Sequence, residues 1–416
     1  MILEYLCKNF RSIKDEIVFS MLASKDTSMN EELLAFNSLP ILRMATILGP
    51  NGSGKSNFIK SFESLVLLIK NSYTLQPGDF LPNYKHKLSS DKPTEYKVHF
   101  VNEGIRYFYF VSYKDVILEE KLYYYPNGKK TILFERTNNN LNFGSNNPKN
   151  FHNAIEAMNA NPIRLFISCA ANLNDNEFIK SAFLFFKEKV VFYPHIPNNW
   201  REYTAEQIIS NSKFKNRFIS FLQSIDISVQ DVNAKLNEFI PKAEDLSSLP
   251  PEFRGFFVGK KVNSYDININ HGQFMLNLNE ESNGIKKLFE VLCPIFKIIE
   301  DQKILFWDEF EVNLHPDIVY QIVKIFKQLD INNLSQFIFT THFINVLDLD
   351  IMRRDQIWFT EIEKENLSTI LFSLAEVKNV RKEENIQKGY LQNRYGGVPI
   401  IDANKIYKLI GGTNNE

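Results

Sequence analysis

The octapeptide GPNGSGKS at residues 49–56 constrains the fold of this chain more than any other stretch. It follows the short apolar segment MATIL (44–48), and it precedes FIKSFESLVLLI, in which apolar residues recur at the helical period. Glycines at this spacing let backbone N–H groups turn toward phosphate oxygens, and the N-terminus of the following helix adds a partial positive charge. The sequence therefore predicts a phosphate-binding loop (P-loop) at the edge of an α/β sheet.

Two side chains of this loop have predicted roles with a nucleoside triphosphate. The ammonium group of Lys55 reaches the β- and γ-phosphates, and the hydroxyl of Ser56 is a ligand of Mg²⁺. The alternative is a glycine-rich turn with a chance lysine, which the order of strand, loop and helix disfavours. The predicted ATP-binding residues of the loop are Asn51, Gly52, Ser53, Gly54, Lys55, Ser56 and Asn57.

Two adjacent acids, Asp308 and Glu309, follow the apolar segment KILFW (303–307). Unpaired buried charge is costly, so acids at the end of a buried strand need a cationic or proton-handling partner. In a protein with a P-loop, the first acid supports Mg²⁺, and the second polarises the attacking water as a general base. The alternative is a strand whose polar end is simply solvated.

A third apolar segment, QFIFT (336–340), is followed by Thr341 and His342. A lone histidine is more often a capping or core residue than a catalytic one. The carboxyl ends of parallel strands, however, line one crevice in which ligands bind. We therefore predict that His342 lies at the γ-phosphate and that Lys55, Glu309 and His342 are the catalytic residues.

The whole chain divides into three predicted parts. Residues 1–148 hold the first half of the sheet, the P-loop and an antiparallel β-meander, and the Asn-rich stretch 137–150 is predicted to be a loop. Residues 149–255 have helical patterns and form an inserted helical lid. Residues 256–416 alternate buried strands with helices, which indicates a mostly parallel sheet with flanking helices.

Composition favours a globular protein of the cytoplasm. Apolar residues make up 44% and charged residues 23%, and a net charge of -1 gives no global attraction to nucleic acid or anionic membranes. The three cysteines are scattered in apolar contexts and are predicted to be reduced core residues. No apolar run reaches the roughly 18 residues that span a bilayer, so no membrane contact is expected.

The order of these motifs resembles the ATP-binding-cassette (ABC) branch of the P-loop ATPases. More narrowly, the chain is similar to the bacterial AAA family ATP-binding proteins related to OLD, RecF and SMC heads. The resemblance extends over nearly the whole chain and rests on KNFRSI, GPNGSGKSN, EESNGIKKLF, WDEFEVNLHP, TTH, RRDQIWFTE and YLQNRYGGVP. It implies an ABC-ATPase head that binds ATP and Mg²⁺ and forms a homodimer or a higher even oligomer.

The segment EESNGIKKLF resembles a degenerate ABC signature at a helix start. In ABC-type dimers the signature Ser and Gly complete the ATP site of the opposite subunit, which implies that Ser282 and Gly284 contact the γ-phosphate in trans. Anion binding at a helix N-terminus makes this physically sensible. The segment departs from the usual LSGGQ, and Ser282 as a mere helix N-cap stays open as the alternative.

Three further segments resemble parts of the family. Arg11 in NFRS resembles an early basic residue near the nucleotide, and an ordinary surface position fits it equally well. A Q-loop is expected near FLPNYKHKL. The residues from Asn313 to His315 resemble a loop that touches the partner subunit, but His315 could equally cap the helix that begins at Pro316. The tail NRYGGVP has no role that the sequence defines.

The biological role is open between three hypotheses. Related heads without membrane domains are often parts of bacterial anti-phage or abortive-infection systems, in which they gate a separately encoded effector. OLD proteins carry a Toprim nuclease after the ATPase, but only 74 residues follow His342 here, so we expect any nuclease to be a separate chain.

The two alternatives are a RecF-like DNA-repair ATPase and a non-catalytic ATP-dependent scaffold. Glu309 disfavours the scaffold, because a scaffold needs no general base. The net charge disfavours DNA repair, although the basic clusters KFKNR (213–217) and GKK (259–261) keep nucleic-acid binding open.

Overall fold

The structure is a computed structural model, and it describes residues 1–144, 151–174, 176–194, 200–240, 261–381, 384–399 and 402–409. Its strands are β1 Ile2–Lys8, β2 Ile17–Ser20, β3 Leu34–Phe36, β4 Leu39–Ile41, β5 Met44–Leu48, β6 Thr94–Asn102, β7 Ile105–Tyr113, β8 Ile117–Tyr124, β9 Thr131–Thr137, β10 Asn140–Phe143, β11 Val190–Tyr193, β12 Asp231–Phe239, β13 Val262–Asn270, β14 Met275–Asn277, β15 Ile304–Trp307, β16 Gln336–Thr340, β17 Ile357–Glu363 and β18 Ser368–Ser373. Its α-helices are α1 Lys55–Asn71, α2 His152–Asn159, α3 Phe166–Leu173, α4 Glu177–Leu184, α5 Trp200–Ser210, α6 Ser212–Ser224, α7 Asn283–Glu300, α8 Pro316–Lys327, α9 Ile386–Leu391 and α10 Ala403–Leu409.

The chain forms two compact units. Unit 1 comprises Met1–Tyr193, Gln302–Phe310 and Tyr320–Glu416, and unit 2 comprises Pro194–Asp301 and Glu311–Val319. This division differs from the predicted one, because α2, α3 and α4 belong to unit 1 and not to a separate insert. The predicted boundary at 255/256 lies outside the described residues.

Hydrogen bonds to the β-meander attach α3 to unit 1. The carboxylate of Glu120 in β8 is fully buried and accepts the N–H groups of Phe166 and Ile167 at 2.6 and 2.9 Å. These two groups lie at the start of α3, where backbone donors have no partner within the helix. A helical pattern in the sequence cannot reveal this attachment, because the acceptor lies in another segment of the chain.

A six-stranded sheet forms the centre of unit 1. Its strand order is β11-β15-β16-β5-β17-β18, and every neighbouring pair is parallel except β17 with β18. All residues of β5, β15 and β16 are buried, as expected for strands that are covered on both faces. The predicted α/β class with a mostly parallel sheet is confirmed.

The second sheet of unit 1 is antiparallel and has the order β10-β9-β8-β7-β6-β1-β2. It contains the predicted meander, and β1 pairs antiparallel with β2. The prediction of a loop over 137–150 is wrong for Asn140–Phe143, which pair with β9. Leu141 packs against the core and the Phe143 ring stacks on Phe151 at 4.9 Å, so the alternation of these two apolar residues with asparagines is a strand pattern.

The helix that follows the P-loop, α1, is held by aromatic rings of both sheets. Phe62 lies 4.7 Å from the Tyr5 ring of β1 and 4.9 Å from the Phe306 ring of β15. Phe58, one turn earlier, lies 4.9 Å from the Phe19 ring of β2. Edge-to-face and tilted ring pairs of this kind stabilise beyond the area that they bury, by about 0.5–1.5 kcal/mol each. The N-terminus of α1, and with it the P-loop, therefore has a rigid base.

Unit 2 consists of helices and a small sheet. Its strands have the order β12-β13-β14 with antiparallel pairing, and α5 packs against α7. One face of α7 is buried, and its Phe289 contacts Phe218 of α6 edge-to-face at 5.6 Å. The buried apolar face of this helix therefore anchors it within unit 2.

All three cysteines are free and buried, as predicted. Burial raises the pKa of each thiol to about 12, which keeps them protonated and unreactive at neutral pH. Among the described helices, none has the length and apolar character that crossing a membrane requires.

Candidate functional site

The P-loop turns sharply because two glycines lie where a side chain cannot. Gly54 has φ 104° and is the N-cap of α1, and a Cβ there would lie 2.1 Å from the Thr369 hydroxyl. A Cβ on Gly49 would lie 2.3 Å from the Thr360 hydroxyl. The loop thus passes too close to β17 and β18 for any other residue, which explains both glycines without reference to a ligand.

Hydroxyl and amide groups tie the loop to this hairpin. Ser53 is buried, and its hydroxyl lies 2.5 Å from that of Thr360, while the Thr369 hydroxyl donates to the Ser53 carbonyl at 3.0 Å. The Asn57 amide donates to the Ser12 hydroxyl at 2.7 Å, and Ser12 in turn contacts Thr369. The side chains of Ser53 and Asn57 therefore hold the loop in place, and their predicted contacts with ATP stay predictions.

Lys55 lies at the centre of the loop. Its side chain is buried, and its ammonium group donates to the carbonyls of Gly49 and Pro50 at 2.8 and 3.0 Å. Asn51 and Gly52 are exposed at the loop tip, and Ser56 is half-buried in the first turn of α1. The loop thus presents a cation and a helix N-terminus at one place, which is the arrangement that binds phosphate groups.

The acid pair, Thr340 and the P-loop meet at one edge of the six-stranded sheet. The Asp308 N–H donates to the carbonyl of Tyr193 at the end of β11 at 2.9 Å. The Thr341 N–H donates to the carbonyl of Ile47 in β5 at 3.1 Å. The strands β15, β16 and β5 are neighbours at the usual spacing of about 4.8 Å. The structure therefore brings the three predicted motifs to the same crevice.

The hydroxyl of Thr340 connects both acids. It accepts the N–H of Glu309 at 2.8 Å and donates to the Asp308 carboxylate at 2.6 Å. Glu309 is exposed and has φ 52°, a left-handed conformation that costs a non-glycine residue about 1–2 kcal/mol. Thr340 has no predicted role from the sequence, although a hydroxyl residue at the end of an apolar strand is a signal that could have indicated one.

His342 is exposed directly beyond the end of β16. The preceding Thr341 is buried, and its hydroxyl accepts the N–H of Phe343 at 3.0 Å, which fixes the chain on both sides of the histidine. The strand end thus places the imidazole on the same sheet edge as Glu309. Its contact with a γ-phosphate stays a prediction.

Arg11 lies beside the segment in which a Q-loop was expected. Its N–H donates to the Tyr84 carbonyl at 2.5 Å, and its guanidinium group lies 4.8 Å from the centre of the Tyr84 ring. Arg11 is exposed, so the structure leaves both of its predicted alternatives open. The aromatic ring under the cation adds a feature that the sequence analysis missed.

Glu63 is a further ionisable group near the crevice. It follows Ser56 by seven residues and therefore shares its face of α1. Burial raises the pKa of Glu63 to about 7, Lys60 and Arg11 lower it, and the Asp308 charge raises it. Arg11, Glu63 and Asp308 therefore lie in one electrostatic neighbourhood, which the helical period could have suggested from the sequence.

The oxygen donors at this edge fit a magnesium ion that arrives with ATP. Asp308 supplies a carboxylate and Ser56 a hydroxyl, and Mg²⁺ in nucleotide sites takes only one or two carboxylates together with phosphate oxygens and water. In the part of the chain that the structure describes, His, Cys, Asp and Glu side chains form no group of three or more that could hold a metal ion. The carboxylate and hydroxyl present at this edge therefore fit a magnesium ion that is held jointly with phosphate oxygens.

In unit 2, Ser282 is the N-cap of α7. Its hydroxyl accepts the N–H of Ile285 at 3.3 Å, as the alternative interpretation of this serine expects. Gly284 lies beside the loop of Asn313, since a Cβ on Gly284 would be 3.5 Å from the Asn313 carbonyl. The signature-like helix start and the Asn313 loop, which were separately predicted to face a partner subunit, are therefore adjacent.

The His315 ring accepts the N–H of Asp317 at 3.3 Å, so it caps α8.

The tail NRYGGVP closes over β17. The Gly397 N–H donates to the Glu361 carboxylate at 2.6 Å, and the Tyr390 hydroxyl donates to the Gly397 carbonyl at 2.6 Å. The Tyr390 ring stacks on Phe359 at 5.4 Å. The tail therefore packs against the strand that carries Thr360, which contacts the P-loop.

A family comparison covers the P-loop, the acid pair and the end of β16. Residues 44–348 match the family described as "AAA domain, putative AbiEii toxin, Type IV TA system". The chain belongs to this AAA family. The match begins at β5 and extends beyond His342, so it includes Lys55, Asp308 and Glu309. The predicted membership in the AAA family of ATP-binding proteins is confirmed, whereas Arg11 lies outside the matched region.

Three solved structures are similar over 89% of this AAA-family chain, each with low sequence identity. They are an SMC head bound to the C-winged helix domain of ScpA (14% identity, 97% of that chain, TM-score 0.40) and the SMC head domain from Thermotoga maritima (13%, 98%, 0.39). The third is a Pyrococcus furiosus Smc head domain with an extended coiled coil, bound to the C-terminal domain of ScpA (14%, 96%, 0.38). No match is found among curated proteins.

Proposed function

We propose that this AAA-family protein is a Mg²⁺-dependent ATPase of the ABC type, which works as a homodimeric switch and gates a separately encoded effector in bacterial anti-phage defence. One observation carries the ATPase assignment: the P-loop, the acid pair and the polar end of β16 lie at a single sheet edge. The family description, which names an AbiEii toxin and a type IV toxin–antitoxin system, supports the defence role.

Each residue has a separate task in the proposed reaction. Lys55 moves its ammonium group from the loop carbonyls to the β- and γ-phosphates, and Ser56 and Asp308 hold Mg²⁺, which neutralises phosphate charge when it is bound. Glu309 accepts a proton from the water that attacks the γ-phosphorus, and ADP leaves as the bond to the γ-phosphate breaks. His342 stabilises the charge on the γ-phosphate.

The position of Ser282 and Gly284 at the N-terminus of α7 supports the proposed dimer. Helix N-termini attract anions, and a two-fold interface brings the same patch of each subunit to its twin. The neighbouring Asn313 loop extends this patch within unit 2. ATP is then bound between the P-loop of one subunit and the signature-like start of α7 in the other.

Nucleotide-linked stability tests the binding step. A ligand of the folded state at 100 times its Kd stabilises by about 2.7 kcal/mol, so Mg-ATP should raise the midpoint of thermal unfolding. AMP is the matched control, since it lacks the two phosphates that Lys55 holds and should shift the midpoint far less. An equal shift with AMP and ATP would contradict binding through the P-loop.

Light scattering tests the proposed dimer. With Mg-ATP it should show twice the mass of one chain.

DNA binding separates the defence role from the RecF-like alternative. Three cations of the basic clusters form ion pairs in the described part of the chain: Lys215 pairs with Asp231 at 2.7 Å, Arg217 pairs with Glu300, and Lys261 pairs with Glu238 at 2.9 Å. We therefore expect only weak binding of a labelled duplex at physiological salt, in the non-specific range of about 10⁻⁴–10⁻⁶ M, as measured by fluorescence anisotropy. Tight binding that falls steeply with salt would favour the repair hypothesis.

A further inference from the structure

We propose that Thr340 is the positioning residue of both acids, so that one buried hydroxyl sets the carboxylate of Asp308 and the backbone of Glu309 for the reaction. This inference rests on the proposed ATPase function. Thr340 touches neither phosphate nor water in that proposal and acts only through its two neighbours.

The direction of each hydrogen bond follows from the chemistry of the groups. A backbone N–H can only donate, so the Thr340 oxygen accepts the Glu309 N–H at 2.8 Å. The single hydroxyl hydrogen is then left for the Asp308 carboxylate, whose oxygen lies 2.6 Å away. A short bond to a charged acceptor is stronger than a neutral one. Both bonds together fix the rotation of a side chain that is fully buried.

Thr340 hydrogen-bonds the residues that follow the end of the β15–β16 pairing. The β15–β16 ladder ends at Trp307 paired with Phe339, so the next residues of the acid segment have no ladder partner in β16. The Thr340 hydroxyl holds Asp308 and Glu309, and the Thr340 carbonyl accepts the N–H of Phe310 at 3.0 Å. One residue therefore binds three consecutive residues and maintains the left-handed turn at Glu309.

A substitution of nearly equal shape tests this role. Thr340→Val leaves the Glu309 N–H without its acceptor and removes the donor from Asp308, while the bond to Phe310 remains. We expect kcat to fall on the order of tenfold to 10²-fold, because misplaced catalytic groups lose rate at that scale. The Mg²⁺ concentration for half-maximal rate should rise several-fold, and the KM for ATP should change little, because the P-loop is untouched.

Thr46→Val is the matched control. Thr46 is also fully buried and lies on the neighbouring strand β5, and its hydroxyl has no hydrogen-bond partner within the described residues. Removal of this hydroxyl should leave kcat, the Mg²⁺ requirement and the thermal midpoint near those of the wild type. An equal loss of kcat in Thr340→Val and Thr46→Val would mean that replacing any buried threonine hydroxyl by a methyl group disturbs the sheet. That result would overturn the positioning role of Thr340.

Thr340→Ser separates hydrogen bonding from packing. It keeps the hydroxyl and loses the methyl group, so a positioning role predicts kcat and Mg²⁺ dependence close to wild type, whereas a packing role predicts a loss like that of Val. If the Val protein does not fold, Thr340→Cys, which keeps the volume and weakens both bonds, replaces it with the same expectation. A wild-type protein without Mg-ATPase activity would overturn the proposed function. If the wild type is active and the Thr340→Val or Thr340→Cys protein is equally active, only the role of Thr340 is overturned.

Discussion

Glu309→Gln should lower ATP turnover by about 10²–10⁴-fold, because a carboxamide cannot accept the proton of the attacking water. ATP binding should persist, since Lys55 and the P-loop lie on another segment. The fold should persist as well, because Thr340 binds the backbone N–H of residue 309 and not its side chain. Turnover is measured as released phosphate, and binding as the shift of the thermal midpoint with Mg-ATP.

The same substitution should trap the ATP-bound dimer. If hydrolysis separates the two heads, a protein that binds ATP without cleaving it stays dimeric, and light scattering should report twice the mass of one chain for far longer than in the wild type. Glu311→Gln is the matched control, because it removes an acid two residues away that has no task in the proposed reaction. Near-wild-type turnover of the Glu309→Gln protein would show that another group takes the proton.

The parts of the site that the sequence could predict are those with local signals. The P-loop can be recognised in the sequence because its glycines, lysine and serine are close together in the chain, and the strand before it is short and entirely apolar. Asp308 and His342 follow two more such strands. Parallel pairing then brings these strand ends together, since consecutive buried strands of one sheet share their carboxyl edge.

The parts that the sequence could not predict depend on groups far apart in the chain. The hydroxyl of Thr340 serves an acid 32 positions earlier, and Thr369 reaches the carbonyl of Ser53 across 316 positions. No periodicity predicts such pairings, because each joins two single groups that lie on distant segments of the chain. The boundary between the two units at Pro194 could not be predicted from the sequence for the same reason, because it depends on which hydrophobic core the preceding helices pack into.

Ser282→Arg and Lys55→Ala should each nearly abolish ATPase activity, and a mixture of the two proteins should recover part of it. Lys55→Ala removes the cation that holds the phosphates, and Ser282→Arg places a bulky side chain at the start of α7. If Ser282 serves the opposite subunit, a mixed dimer has one site with both changes and one site with neither. Half of the dimers in an equal mixture are mixed, so about a quarter of the wild-type rate should return if the two sites act independently.

Two controls isolate the contact in trans from helix capping. Ser282→Asn keeps a good N-cap acceptor, so it preserves the bond to the Ile285 N–H and should keep the helix intact. Ser210→Arg adds the same charge at an exposed position of unit 2 and should leave the rate unchanged. Subunit exchange is followed by light scattering of chains tagged to different masses.

The pattern of outcomes decides what Ser282 does. Recovery on mixing requires that each ATP site takes Lys55 from one subunit and Ser282 from the other, since a serine that served its own subunit would leave every mixed dimer with two damaged sites. Exchange without recovery means that Ser282 acts on its own subunit or that both sites must be intact together. A fully active Ser282→Arg protein would reduce the serine to the N-cap that the structure already shows it to be, and the anion-binding end of α7 would then have no task in ATP hydrolysis.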